Sequence, residues 1–125
     1  MGLLDKFFGS GSTENNGDFL WKKIESEADL EKAVEESHVR KVAIFKHSTR
    51  CYISKTVLKN FEKEVANLGS DVSFYFLDLL AFRSISNKIE EDFGVRHQSP
   101  QLIVLTDGKV VKEASHHSIS KSLVL

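Results

Sequence analysis

The chain has 125 residues, a net charge of −1, 41% apolar and 28% charged residues, one cysteine and one proline. That is the size and balance of one globular domain with a real core. Lysines and glutamates are interspersed, which excludes the basic stripe of a nucleic-acid-binding protein, and no apolar run approaches the roughly 18 residues of a membrane span. A single cysteine excludes an internal disulfide framework and fits a reducing cytosol, so a cytoplasmic protein is expected.

The amino terminus, Met1-Gly2-Leu3-Leu4-Asp5-Lys6-Phe7-Phe8, is too short and too interrupted for a signal peptide, and Lys6 stands where myristoylation needs Ser or Thr. Its Leu4, Phe7 and Phe8 suit one amphipathic turn packed on the domain. Residues 9–17 form a polar, Gly-containing linker, so residues 1–18 read as an arm and 19–125 as the domain.

Residues 20–24 are a short strand candidate. Ser26 with Asp29 makes a weak capping box, followed by the apolar stripe Leu30, Ala33 and Val34 of a helix that ends near His38. Residues 41–46 have the continuous apolar centre of a buried strand. A helix is expected from Cys51 to about Leu68, carried by Ile53, Val57, Leu58, Phe61, Val65 and Leu68, with Gly69 as its stop. Residues 72–79 form a third strand. Ile85, Ile89 and Phe93 mark a helix over 84–93 that Gly94 closes. Residues 101–106 and 109–114 are strands joined by Asp107-Gly108, a strong hairpin signal, and residues 118–125 are expected to form a last helix.

The order β-α-β-α-β-α-β-β-α gives an α/β fold, a mixed central sheet flanked by helices on both faces, in the thioredoxin-like arrangement. Within that order, Cys51 falls at a strand-to-helix turn, in Lys46-His47-Ser48-Thr49-Arg50-Cys51-Tyr52-Ile53-Ser54. A sulfur there faces unpaired backbone N–H groups and the positive end of the helix dipole. Lys46, Arg50 and Lys55, and His47 when protonated, add positive charge, and each favours the thiolate. A lone cysteine is more commonly a small buried hydrophobe; the turn position and polar flanks favour a reactive one. Ser54 occupies the resolving position of a Cys-x-x-Cys and offers the thiolate a hydrogen bond but no disulfide; an ordinary serine of a first helical turn is an equal reading. Ser48 and Thr49 are read as helix caps. His116 and His117 are read as surface residues, and His97 borders either the substrate groove or a plain loop. The scattered histidines give no zinc signal.

The segment Phe45-Lys46-His47-Ser48-Thr49-Arg50-Cys51, with Ile53-Ser54 and Ser99-Pro100-Gln101, resembles the monothiol bacilliredoxins, the YtxJ or BrxC group of bacillithiol-system proteins. The resemblance runs from Trp21 to the hairpin. It departs at Tyr52, where the family typically has proline; proline would stiffen the helix start, and tyrosine leaves it looser with an aromatic flank. In the fold so implied, the Ser99–Pro100 bond is cis and faces the cysteine, exposing the Ser99 backbone to an extended substrate. The implied activity is monothiol disulfide exchange, a redox-active, stress-response function. Catalytic Cys51 and Ser54 take a low-molecular-weight thiol, bacillithiol by resemblance, from protein mixed disulfides; His47, Thr49, Arg50, Tyr52, Ser99 and Pro100 bind substrate. No cofactor is bound, and the small thiol is a co-substrate. The expected partners are S-thiolated client proteins and the small thiol, without nucleic acid or membrane, in a monomer or weak dimer. The alternatives are a non-catalytic thioredoxin-like adaptor, whose thiol would alkylate slowly at pH 6, and an iron–sulfur carrier of monothiol glutaredoxin type, in which Tyr52-Ile53 would replace Gly-Phe.

Overall fold

The computed structural model describes residues 21–66 and 71–125. The amino-terminal arm, the stop at Gly69 and the end of the expected helix at Leu68 lie outside the described residues. Five strands, β1 (Trp21–Lys23), β2 (Lys41–His47), β3 (Val72–Asp78), β4 (Gln101–Thr106) and β5 (Lys109–Ser115), alternate at first with helices α1 (Glu27–Glu36), α2 (Tyr52–Val65) and α3 (Arg83–Phe93). They make one sheet in the order β1-β3-β2-β4-β5. β1 and β2 run parallel to β3, whereas β2–β4 and β4–β5 are antiparallel.

Each face of the sheet has its own core because side chains alternate along a strand. Ala43 and Phe45 of β2 point to one side, where they meet Val57, Phe61 and Val65 of α2. Val42 and Ile44 point to the other, where they meet Leu30 and Ala33 of α1 and Ile85 and Ile89 of α3. Around Trp21, the rings of Phe45, Phe61, Phe74 and Phe76 lie at centroid distances of 5.8, 6.3, 5.8 and 6.0 Å, and its indole N–H donates to Glu62 Oε2 at 2.6 Å. The indole thus keeps a partner for its only polar atom inside an apolar cluster.

Several local signals act as the residues suggest. The Ser26 Oγ accepts the Asp29 N–H at 3.1 Å. The Asp29 carboxylate reaches back one residue beyond the cap, to the Glu25 N–H at 2.9 Å. Gly94 ends α3 in the left-handed region at φ 65°. Asp107 and Gly108 both have positive φ, 54° and 76°, the twist that a two-residue hairpin requires.

The carboxyl end departs from expectation. Residues 118–125 form no α-helix; the segment holds two short 3-10 turns instead, His116–Ser118 and Lys121–Val124. Ile119 and Val124 anchor them on the α2 face of the sheet, and the Lys121 N–H is held by Glu64 Oε1 at 2.8 Å. Only a few residues there face the core, and an isolated segment so short does not sustain an α-helix.

Candidate functional site

The strands fix the site before any side chain is considered. In the β2–β4 ladder Lys46 lies opposite Gln101; one step further, the register leads from His47 to Pro100. The turn at 48–51 and the Ser99–Pro100 peptide therefore leave the same end of neighbouring strands. That peptide is cis. Pro100 is buried, and its carbonyl accepts the His116 N–H at 3.0 Å.

Cys51 is the N-cap of α2, with extended backbone and partial exposure. Its N–H donates to the Ser48 carbonyl at 3.1 Å, and its own carbonyl accepts the Lys55 N–H at 3.1 Å as the helix begins. A partly exposed sulfur is thus held at a helix amino terminus, where backbone N–H groups lack intrahelical acceptors. Neither Ser48 nor Thr49 is the cap residue; Ser48 serves the turn through its backbone, and Thr49 is exposed.

Ser54, one helical turn on, is fully buried. Its Oγ accepts the Ser48 N–H at 3.2 Å and lies 2.7 Å from His47 Nδ1. Held by these two groups, the hydroxyl braces the turn from below. His47, expected to contact substrate, is 4% exposed, with the rings of Phe45 and Phe76 tilted against it at centroid distances of 6.3 and 5.4 Å. Burial pushes the imidazole below the usual histidine range; Asp78 opposes that effect and Lys55 adds to it. His47 is therefore a neutral ring at pH 7, inside the protein.

Lys46 does not join the cations around the sulfur. It alternates with His47 on β2, so its side chain leaves through the opposite face of the sheet, where it is fully buried. Among the described residues its Nζ has no hydrogen-bond partner. Burial draws its pKa down to about 8, with Glu90 opposing. The exposed residues around Cys51 are Thr49, Arg50, Tyr52, Ile53 and Lys55. Tyr52 is 81% exposed, and Ile53, read as a core position of the helix, is turned outward instead.

The approach to Pro100 is clamped by Gln101, Glu90 and His97, of which the sequence marked His97 as a groove or loop residue and Gln101 only as part of the family motif. Gln101 is fully buried; its Nε2 donates to the Arg96 carbonyl at 3.0 Å and its Oε1 accepts the Gln98 N–H at 3.4 Å. The Glu90 carboxylate takes the His97 N–H at 3.1 Å, and His97 Nδ1 lies 3.4 Å from Ser86 Oγ. His97 is thus half-buried and tied to α3. The Ser99 Oγ is buried without a hydrogen-bond partner among the described residues. A polar residue in an otherwise apolar strand, such as Gln101, was the available signal.

A half-exposed cysteine capping the helix after the second strand, with a cis-proline entering the neighbouring strand, defines the class: a thiol-redox protein of the thioredoxin fold. Solved structures agree. The chain superposes on a proposed oxidoreductase with a thioredoxin fold at a TM-score of 0.75 and 28% identity, covering 86% of this chain and 92% of that one. It also superposes on mitochondrial thioredoxin 3 of Saccharomyces cerevisiae (TM-score 0.65, 16% identity, 81% and 87% covered) and on thioredoxin f of spinach chloroplast (0.62, 19%, 83% and 83%), likenesses of fold alone. The family model of the monothiol bacilliredoxin BrxC matches residues 22–124. The chain belongs to the monothiol bacilliredoxin BrxC family. Among the described residues no helix is long and apolar enough to cross a membrane.

Proposed function

We propose that the protein is a monothiol disulfide reductase that removes a small thiol, bacillithiol, from protein mixed disulfides. The observation that carries the reading is the contrast within Cys51-x-x-Ser54: the cysteine is accessible, and the serine in the resolving position is buried and engaged by Ser48 and His47. The Cys51 thiolate attacks the small-thiol sulfur of the mixed disulfide; the client leaves as a thiolate, and a new disulfide joins Cys51 to the small thiol. A second small-thiol thiolate attacks that disulfide, which releases the Cys51 thiolate and a small-thiol disulfide. Electrons and protons balance over the two exchanges, and no further oxidant or reductant is consumed. Exposed Arg50, Lys55 and Thr49 offer charge and hydrogen bonds to an acidic thiol, and the Ser99 backbone offers a client one strand-like rung. Bacillithiol is favoured by the family's name. A protein recycled by a small-thiol pool belongs in a reducing cytosol.

The test incubates the purified protein with clients modified by bacillithiol, coenzyme A or glutathione and follows intact mass. An adduct on Cys51 with release of reduced client is expected, fastest with bacillithiol and absent in Cys51→Ser. If no thiol transfers to Cys51 the enzymatic reading fails, and transfer only from the other two thiols overturns the choice of bacillithiol.

A further inference from the structure

The charged residues of the helices divide across the sheet. On one side, α1 carries five acids against Lys32 alone, and α3 three acids against Arg83 and Lys88, with Lys88 paired to Asp92. On the other side lies α2, which buries Ser54, Val57, Phe61 and Val65 and turns Lys55, Lys59 and Lys63 to solvent. Those lysines recur at every fourth residue and make a single row on the helix. At the head of the row stand the exposed Arg50 and Tyr52 that flank Cys51. The two acids of α2 do not answer the row: Glu62 accepts the Trp21 indole N–H at 2.6 Å, and Glu64 accepts the Lys121 N–H at 2.8 Å. None of Arg50, Lys55, Lys59 and Lys63 enters an ion pair among the described residues. Like charges four residues apart repel and weaken a helix, so the fold gains no stability from the row.

We propose that the lysine row of α2 is a docking strip for a protein client whose surface beside the modified cysteine is acidic. The proposal rests on the reading that Cys51 attacks a protein mixed disulfide, and it adds the charge of the partner. At a rise of about 1.5 Å per residue, Lys59 and Lys63 stand about 12 and 18 Å along the helix from Cys51. A small thiol at Cys51 is served by Arg50 and Lys55, and only a larger molecule lies over the whole row. The row is one side chain wide and the opposite side of the sheet is acidic, which disfavours an extended phosphate surface such as a membrane or a duplex. A client with Asp and Glu around its cysteine is steered on to the row and presents its disulfide to the sulfur at the row's head.

The test uses peptides that differ only in the residues on both sides of one cysteine, Glu, Gln or Lys, each as its mixed disulfide with 5-thio-2-nitrobenzoate. The Cys51 thiolate attacks the peptide sulfur, a Cys51–peptide disulfide forms, and the coloured thiolate leaves, so its absorbance gives the rate without recourse to bacillithiol. Each rate is taken relative to that of mercaptoethanol with the same peptide. At low salt the Glu peptide should react about tenfold faster than the Lys peptide, with the Gln peptide between, and added salt should close the spread. Lys59→Glu with Lys63→Glu should abolish or invert the preference, and Lys59→Gln with Lys63→Gln should reduce it, both with an unchanged rate toward neutral iodoacetamide. Glu31→Lys with Glu35→Lys, on α1, should leave the preference as it is. Equal relative rates for the three peptides, a preference that survives in both α2 variants, or a change of the same size in the α1 variant would each overturn the proposal, the last because net charge alone would then be at work. Sedimentation of the wild type with phosphatidylserine vesicles, lost in the α2 variants, would assign the row to a membrane and overturn it as well. A charge preference that holds while bacillithiol-modified peptides transfer nothing to Cys51 would instead strike the proposed activity and leave the docking row standing.

Discussion

Lys46 and Gln101 lie directly opposite each other in the β2–β4 ladder, both without solvent exposure, on the face of the sheet away from α2. The glutamine spends its amide on the backbone at Arg96 and Gln98, whereas the lysine finds no hydrogen-bond acceptor among the described residues. A buried ammonium without a hydrogen-bond partner, offset only in part by the Glu90 charge, costs stability, and its cost is readable in the pH dependence of folding.

Lys46 has a pKa drawn down to about 8 in the fold against an ordinary value of 10.5. Below pH 8 the lysine is charged in both states and the folded protein carries the full penalty. Between about pH 8 and 10.5 the unfolded chain binds more protons than the fold, so the contribution of this residue to stability rises with pH. Lys46→Met should stabilise the protein at pH 7 by about 2 kcal/mol, since an apolar chain of similar length replaces a buried charge that no hydrogen bond satisfies. It should also flatten the alkaline rise. Urea unfolding at pH 7 and pH 9.5 measures both; a variant less stable than wild type at both pH values would mean that the Glu90 charge outweighs the burial of the ammonium.

Gln101→Leu should cost about 1–2 kcal/mol through the lost amide hydrogen bonds at Arg96 and Gln98. Because those bonds hold the segment that leads into Ser99, reduction of a protein mixed disulfide should slow while carbamidomethylation of Cys51 keeps its wild-type rate. Equal losses in the two assays would show that Gln101 supports the whole fold rather than the client's rung.

Tyr52 is the first residue of α2 and 81% exposed. The N–H of that position has no intrahelical acceptor, and the φ of proline matches a helix start. Tyr52→Pro should therefore raise stability by about 0.5–1 kcal/mol by restricting the unfolded chain, a gain of a few degrees in the thermal midpoint. A lowered midpoint would show that the tyrosine ring makes a contact that stabilises the native turn.

Gly94 and Gly108 separate two costs of a side chain. Both have positive φ, 65° and 76°, but a Cβ on Gly94 meets nothing within 4 Å whereas one on Gly108 comes 3.3 Å from the His38 ring. Gly108 also donates its N–H to the Ser37 Oγ at 2.8 Å, and Asp107 donates to the Ser37 carbonyl at 2.7 Å, so the hairpin tip is pinned to the end of α1. Gly94→Ala should lose about 1 kcal/mol from backbone strain alone, and Gly108→Ala about 1–2 kcal/mol unless the exposed His38 ring swings aside. Thermal unfolding of the two variants side by side gives the comparison, and equal losses would show that His38 yields freely.

Periodicity and turn chemistry are local, so the alternating elements, the Ser26 cap, the Gly94 stop, the Asp107-Gly108 hairpin and the position of Cys51 at the head of a helix were all legible in the residues. The motif around Cys51, with Ser99 and Pro100, also sufficed for the family. The carboxyl end was not legible in the same way, because its two 3-10 turns are held by Ile119, Val124 and Glu64 rather than by their own period. Only the tertiary structure decided which side of the sheet each polar neighbour of the cysteine takes. Strand alternation sends Lys46 away from the sulfur and His47 toward α2, and packing against Phe45 and Phe76 buries the imidazole beside Ser54. A linear string of Lys, His, Arg and Cys lists charges near a thiol. The pleat of one strand and the desolvation of two side chains determine which of those charges reach it.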